Sequence, residues 1–114
     1  MAVDTIGKNN IDLIILQFLS RSDMYGYQIS RNVFLRSGGK LNLNMGAMYA
    51  SLYRLKEAGY ISDYEQISGK RRTRVYYHLE PSGRIHLKER LEQYREQQRV
   101  MDACLFSEEE MADD

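Results

Sequence analysis

The chain has 114 residues, of which 43% are apolar and 28% are charged, as is typical of a single globular domain. No uninterrupted apolar run exceeds four residues, as in Leu13–Leu16, whereas a membrane span needs roughly 18 to 20. The only cysteine, Cys104, has no second cysteine to pair with. We therefore expect a cytoplasmic protein that has no membrane partner.

The sequence lacks the combinations of residues that usually form catalytic sites. The sequence has no Ser/His/Asp or Cys/His arrangement, no glycine-rich phosphate loop and no evident pair of catalytic carboxylates. Neither His78 nor His86 has the neighbours that a tetrahedral zinc site requires. We therefore predict a protein that is not an enzyme and that needs no cofactor or metal.

A formal net charge of zero hides an uneven distribution of charge along the chain. Residues 102–114 contain six acidic residues and no basic one, whereas residues 1–101 contain 16 basic and 10 acidic residues, a net charge of +6. A basic body with an acidic tail fits a polyanionic partner. A solvated surface followed by a disordered tail would give the same distribution.

Two helices are predicted in the first third of the chain. Apolar residues from Ile11 to Leu19 recur at helical spacing after Asn9 and Asn10, either of which could be the N-cap. A second helix is predicted over residues 24–37, because apolar side chains lie four apart and Gly38 and Gly39 follow.

The stretch GAMYASLYRLKEAGYI, residues 46–61, predicts a third helix that Asn44 caps and Gly59 ends. Small residues would let DNA approach the backbone, while phenol and guanidinium groups could meet phosphates and base edges. Alternatively, the tyrosines pack against the following hairpin. The inward stripe would contain Met45, Met48, Leu52 and Leu55, and the outward face would contain Gly46, Ala47, Tyr49, Ala50, Tyr53 and Arg54.

From Tyr60 onward the apolar period changes to two, which predicts a β-hairpin turning at Gly69. Four cations crowd the region of the turn, namely Lys70, Arg71, Arg72 and Arg74. Their mutual repulsion would be relieved by a polyanion, so the hairpin could lie along a DNA backbone or in a minor groove. A turn that is merely soluble is the alternative.

Pro81 suits the first turn of a last, long helix. Heptad spacing along it predicts packing against a second long helix, and hence a homodimer, through Leu87, Leu91, Tyr94, Gln98, Met101 and Leu105. The predicted fold class is mainly α with a small β-hairpin. It has a winged helix-turn-helix at residues 9–80, a dimerisation helix at 81–105 and an acidic disordered tail at 106–114.

Four stretches together resemble the PadR-type transcriptional regulators. They are YGYQI at residues 25–29, GAMYASLYRLKEAGYI at 46–61, GKRRTRVYYHLEPSGR at 69–84 and the helix that follows. The family patterns are YGYEI, G-x-LYPxLxRLExxGLI and RxYYxLTxxG, and the match runs from about Ile11 to Cys104. Ala50 stands where the family often has proline, and Glu80 stands where threonine is usual.

The resemblance implies a winged helix-turn-helix whose recognition helix and wing contact operator DNA and whose carboxy-terminal helix forms a dimer. Tyr49 takes the place of the family's recognition-helix tyrosine. Our first hypothesis is a homodimeric repressor of an inverted-repeat operator, relieved by a small aromatic or hydrophobic effector between the long helices. The second is a winged-helix module that binds a protein partner instead of DNA.

Overall fold

The computed structural model describes residues 8–113. Four helices, α1 to α4, and three strands, β1 to β3, follow one another in the order α1–β1–α2–α3–β2–β3–α4. The helices are α1 (Lys8–Leu19), α2 (Gly26–Arg36), α3 (Met45–Glu57) and α4 (Pro81–Phe106). The strands are β1 (Met24–Tyr25), β2 (Ile61–Ser68) and β3 (Arg72–Leu79).

Two boundaries near the start of the chain differ from the sequence prediction. Asn9 and Asn10 lie inside α1, so the expectation that one of them is its N-cap is wrong. Met24 and Tyr25 form a strand, so the predicted second helix begins two residues too early. Both residues pair with β3, Met24 opposite Tyr77 and Tyr25 opposite Tyr76, and ladder hydrogen bonds there replace a turn of helix.

The sheet is antiparallel, with β3 between β1 and β2. The β2–β3 hairpin pairs Ile61 with Leu79 at its base and Ser68 with Arg72 at its tip. Gly69 and Arg71 have φ values of 65° and 63°, which let the chain reverse within three residues. The predicted hairpin is thus present, and its basic residues lie at and beside the turn.

The core lies where the first three helices meet the base of the hairpin. Ile15, Leu16 and Ile29 are completely shielded from solvent, as is Met48 on α3. Met45 is 40% exposed, so its predicted place in the inward stripe of α3 is wrong. Met45 shares a face with Met48 and Leu52, but it is the first residue of α3 and lies at the end of the helix, where less of the core covers it.

Helix α4 is fixed to the turn that follows α3. Ser82 Oγ donates a hydrogen bond of 2.7 Å to the Gly59 carbonyl, and the Glu80 N–H donates one of 2.9 Å to the Tyr60 carbonyl. Gly83 is required at this contact, because a Cβ on it would lie 2.6 Å from Leu79 Cδ1. The start of α4 therefore belongs to the same rigid unit as α3 and the hairpin.

Leu87 is buried at 6% exposure within this unit. Its predicted place in an intersubunit seam is wrong, because the chain's own core covers it. Leu91, one turn later, is half-buried and packs on the same core. Because Leu87 and Leu91 are covered by the chain's own core, the free part of the predicted seam begins at Tyr94. Heptad spacing shows that one face of a helix is apolar, but it does not show which neighbour covers that face.

Candidate nucleic-acid interface

The start of α3 is built to present its outer face. Asn44 is the N-cap, and its Oδ1 accepts a hydrogen bond of 3.0 Å from the Ala47 N–H, which satisfies one of the free donors of the first turn. Met48, Leu52 and Leu55 anchor the opposite side in the core. These contacts fix how α3 is rotated about its axis. They therefore also determine which of its side chains point outward.

Four of the six residues predicted for the outward face of α3 are exposed, namely Gly46, Tyr49, Ala50 and Tyr53. Tyr49 is 47% exposed and Tyr53 is 65% exposed. Ala47 is half-buried and packs against the core, so its expected full exposure is wrong. The outer face is narrower than the sequence suggested and is dominated by the two phenol rings.

Arg54 is occupied within the subunit. One guanidinium nitrogen lies 3.0 Å from Asp12 Oδ1 on α1 and 2.8 Å from Ser51 Oγ. Arg54 was predicted to lie on the outward face and offer a fork to phosphate, but its side chain is only 34% exposed and already has a carboxylate partner. Its observed contacts tie α3 to α1, which is a structural role.

The ring of Tyr49 is seated on the first residue of α2. A Cβ placed on Gly26 would lie 2.7 Å from Tyr49 Cζ and 3.1 Å from Cε1, closer than real Cβ contacts allow. Gly26 therefore lets the hydroxyl end of the phenol pack against the start of α2. Its role was missed in the sequence, since only the YGYQI motif pointed to it and Tyr49 lies far along the chain from that motif.

The wing joins the same surface through Arg74. Its guanidinium carbon lies 4.4 Å from the centroid of the Tyr25 ring, a cation–π distance. Arg74 and Tyr49 line one cavity of about 270 Å³, together with Tyr25, Gly26, Tyr27, Val75 and Tyr77. The predicted recognition helix and the predicted wing thus meet in one concave surface, which we call the α3–wing cleft.

Burial raises the pKa of the Tyr77 phenol in the α3–wing cleft, and the nearby Tyr49 and Asp63 raise it further. A phenol is already protonated at physiological pH, and the raised pKa leaves it so; Tyr77 can therefore donate a hydrogen bond. Tyr25, Tyr27 and Tyr77 were not predicted from the sequence to take part in binding. Alternation in β3 and the YGYQI motif were the only signals that could have indicated them.

The tip of the wing carries the remaining cations. Lys70, Arg71 and Arg72 are exposed, and no ion pair with another residue in the range 8–113 is found for any of them. Three exposed cations at the turn and the first residue of β3 create a strong local positive charge. Such a tip can approach phosphates without first breaking an internal ion pair.

A polar network supports the wing from behind. Asp23 accepts a hydrogen bond of 2.8 Å from Tyr64 Oη on β2, and its other oxygen lies 2.8 Å from His78 Nδ1 on β3. The Tyr64 and Tyr76 rings stack across the hairpin with centroids 5.7 Å apart. Asp23 precedes β1, so the network fastens both hairpin strands to the segment that leads into α2.

Beyond Tyr94, the predicted seam residues of α4 lie on the surface, with Met101 51% and Leu105 62% exposed. Gln98 is exposed in the same face and donates a 3.2 Å hydrogen bond to Asp102. Between α1 and α4 is a cleft of about 1030 Å³ that Asn10, Leu13, Tyr94 and Val100 help to line. Val100 and Phe106 are also exposed on α4, at 44% and 74%, and were not in the predicted seam.

Within residues 8–113, no helix is long and apolar enough to cross a membrane. The same residues contain no group of three or more His, Cys, Asp or Glu side chains that could hold a metal ion.

Known proteins share this architecture. A transcriptional regulator from Clostridium thermocellum is 28% identical with a TM-score of 0.79, over 85% of this chain and 94% of that one. A PadR family transcription regulator from Clostridium difficile R20291 is 30% identical with a TM-score of 0.73, over 83% and 97%.

Bacillus subtilis PadR, solved in complex with operator DNA, is 24% identical with a TM-score of 0.65, over 72% of this chain and 46% of that one. At that identity the likeness concerns the fold alone. These structures confirm the predicted fold class, a winged helix with a long last helix. Residues 15–89 match the profile of the transcriptional regulator PadR-like family, and the chain therefore belongs to that family.

Proposed function

We propose that the chain is a sequence-specific DNA-binding repressor that acts as a homodimer on an inverted-repeat operator. The observation that carries this proposal is the α3–wing cleft, in which Tyr49 and Arg74 line one surface beside a tip of exposed cations. The fold shared with Bacillus subtilis PadR, which was solved on operator DNA, supports it. Repression would follow from occupancy of promoter DNA.

In this proposal, the exposed face of α3 enters the major groove. Tyr49 and Tyr53 supply hydroxyls and ring faces there, and Gly46 lets the backbone approach the DNA. The wing tip follows the adjacent backbone or minor groove with Lys70 and its neighbours. Arg54 is left out of the contact set because Asp12 already binds it.

The homodimer would form through the free part of α4. One winged helix offers a small interface, and joining two makes the second contact intramolecular, which can raise affinity by roughly 10² to 10⁴. The exposed side chains of Tyr94, Met101 and Leu105 supply the apolar surface to be buried. A small aromatic or hydrophobic effector would sit between the long helices, against Leu13 and Tyr94 of the cleft, and would relieve repression.

The dimer is tested by sedimentation of the parent and of Leu105→Arg at micromolar concentration. Leu105 is exposed in the single subunit, so arginine there leaves the fold intact but would bury a charge in a dimer, at a cost of several kcal/mol. We expect a dimer for the parent and a monomer for the variant. Arginine at Ile67, which is 74% exposed on the wing, is the matched control and should stay dimeric.

DNA as the partner is tested by titrating the chain with duplexes at several salt concentrations. Neutralising several phosphates makes affinity fall steeply with salt, whereas a polar protein interface depends on salt much less. A parent that sediments as a monomer yet binds duplex tightly would overturn the dimer. A nearly flat salt response would favour a protein partner instead.

A further inference from the structure

A second groove lies between the end of α1, the start of β1 and the second half of α2. It has a volume of about 460 Å³ and is lined by Phe18, Arg21, Met24, Asn32, Leu35 and Arg36. We call it the α1–α2 groove. It shares no residue with the α3–wing cleft, and the proposed DNA contact does not use it.

The α1–α2 groove combines an apolar surface with two cations. Leu35 is 58% exposed, and the Arg36 guanidinium carbon lies 5.8 Å from the centroid of the Phe18 ring. No acidic residue lines the groove, and within residues 8–113 neither Arg21 nor Arg36 is in an ion pair. Its chemistry suits a partner that carries both carboxylates and apolar side chains.

The end of this chain has that composition. Phe106 is 74% exposed and Met111 is 86% exposed, and the three carboxylates Glu108, Glu109 and Glu110 lie between them. From Ser107 to Asp113 the segment has no helix or strand. It could therefore adopt whatever conformation a groove imposes, at an entropic cost that apolar burial and ion pairs would have to offset.

The direction of α4 favours docking of the tail of a second copy in the α1–α2 groove over docking of the chain's own tail. Two clefts show the direction in which α4 runs along α1. Val100 of α4 lines a cleft with Asn10, at the start of α1, whereas the α4 residues that line a cleft with Phe18, at the end of α1, are the earlier Leu91 and Tyr94. The chain's own α4 therefore runs away from the α1–α2 groove. A second α4 lying antiparallel to it would run towards Phe18.

Phe18 lines both the α1–α2 groove and a smaller cleft of about 270 Å³ between α1 and α4, which Leu91 and Tyr94 also line, so these two surfaces meet at Phe18. We propose that residues 106–113 of one subunit dock in the α1–α2 groove of the other, with Glu108–Glu110 facing Arg21 and Arg36. The inference rests on the proposed homodimer. It gives the acidic tail a specific place and makes it part of the dimer interface.

Disulfide trapping in the full chain tests this docking. Leu35 and Met111 are replaced by cysteine in a Cys104→Ser background, and formation of covalent dimer under mild oxidation is followed on non-reducing gels. The control pairs Met111→Cys with Ile67→Cys, which is exposed on the wing and away from the groove. Docking should raise the rate by roughly 10² over the control, since it gives the pair a high effective concentration.

Reversing the charges of the groove and of the tail provides a second test of the docking. Arg21→Glu with Arg36→Glu should slow the Leu35–Met111 crosslink to the control rate, and adding Glu108→Arg with Glu110→Arg should restore it. A dimer by sedimentation that crosslinks no faster than the control overturns the docking while leaving the dimer intact. A chain that sediments as a monomer overturns both, and a fast intramolecular disulfide in that monomer would mean that the tail docks on its own subunit.

Discussion

Tyr49 of α3 packs against Gly26, the first residue of α2, so closely that no side chain fits between them. The contact joins the proposed recognition helix to the helix before it. The hydroxyl and Cζ are the Tyr49 atoms nearest to Gly26, so this contact helps to orient the hydroxyl end of the side chain. The position of a functional group proposed to meet DNA is therefore set by a residue that has no side chain.

Gly26→Ala should weaken operator binding about as much as Tyr49→Ala. The new methyl would collide with the phenol and displace it, and such overpacking typically costs about 1 to 3 kcal/mol. Tyr49→Phe keeps the ring seated and removes only the hydroxyl, for an expected loss of about 0.5 to 1.5 kcal/mol. Fluorescence anisotropy with a labelled operator measures all three.

The double variant Gly26→Ala with Tyr49→Ala distinguishes an effect through the Tyr49 ring from a general disruption of α2. If Gly26→Ala acts through the Tyr49 ring, it should add little to the loss already caused by Tyr49→Ala. Fully additive losses would show that Gly26 acts by some other route. Circular dichroism confirms that each variant is folded.

Removing the cations of the wing tip should lower the salt dependence of DNA binding. We suggest Lys70→Ala, Arg71→Gly and Arg72→Ala together, with glycine at Arg71 because its φ is 63° and alanine there would be strained. The slope of log K against log salt should fall by about 0.9 for each phosphate that the variant no longer neutralises. Arg84→Ala with Lys88→Ala, exposed cations on α4, is the control, and an equal change in both proteins would remove the wing from the interface.

Arg54 should contribute to stability and not to the salt slope. Its side chain is 34% exposed and that of Asp12 only 15%, so the pair lies between a surface and a buried ion pair. A cycle of Arg54→Met and Asp12→Asn, followed by chemical unfolding, should give a coupling free energy near the upper end of the range of about 0.2 to 1 kcal/mol found for exposed pairs. A smaller salt slope in Arg54→Met would instead return Arg54 to the DNA interface.

Low pH should reduce the stability of the fold by protonating Asp23, the carboxylate that holds the wing. Burial raises the pKa of this carboxyl, but hydrogen bonds from His78 and Tyr64 and the charge of His78 outweigh it, so its pKa lies below the usual 3.8. A carboxyl whose pKa is lowered on folding stabilises the fold above its unfolded pKa. That contribution is lost as pH falls below about 4 and through the folded pKa.

Thermal unfolding midpoints of the parent and of Asp23→Asn, recorded from about pH 6 down to about pH 2, measure this contribution. The parent should lose more stability than the variant over the acidic part of that range. Glu57→Gln, at an exposed position on α3, should follow the parent. Parallel curves for the parent and Asp23→Asn would show that the network does not stabilise the fold.

Local features of the fold were predictable because short-range chemistry determines them. Asn44 caps α3 as expected, and Gly69 turns the hairpin where the alternation of β2 and β3 breaks. The pairing of Met24 with Tyr77 was not predictable, since a two-residue strand has no periodicity to detect. The same limit applies to the pair of Arg54 and Asp12, which are 42 residues apart.

The outward face of a helix was only partly predictable. Spacing identified Tyr49 and Tyr53 as exposed, yet it could not show that α1 supplies a carboxylate to Arg54. On α4, Leu87 and Leu105 both belong to the predicted apolar seam, but one lies over the winged helix and the other extends past it. Periodicity gives the apolar side, and only the tertiary arrangement decides which part of that side remains free.

Selection of bound duplexes from a random-sequence pool shows directly whether the chain recognises a specific DNA sequence. The parent chain should enrich an inverted repeat and bind it with two subunits per duplex, as symmetric dimers do. The same selection with Tyr49→Ala and the triple wing variant should enrich nothing comparable. A parent that enriches no sequence would show that the chain does not read DNA sequence, and an enrichment that both variants retain unchanged would show that Tyr49 and the wing do not read it.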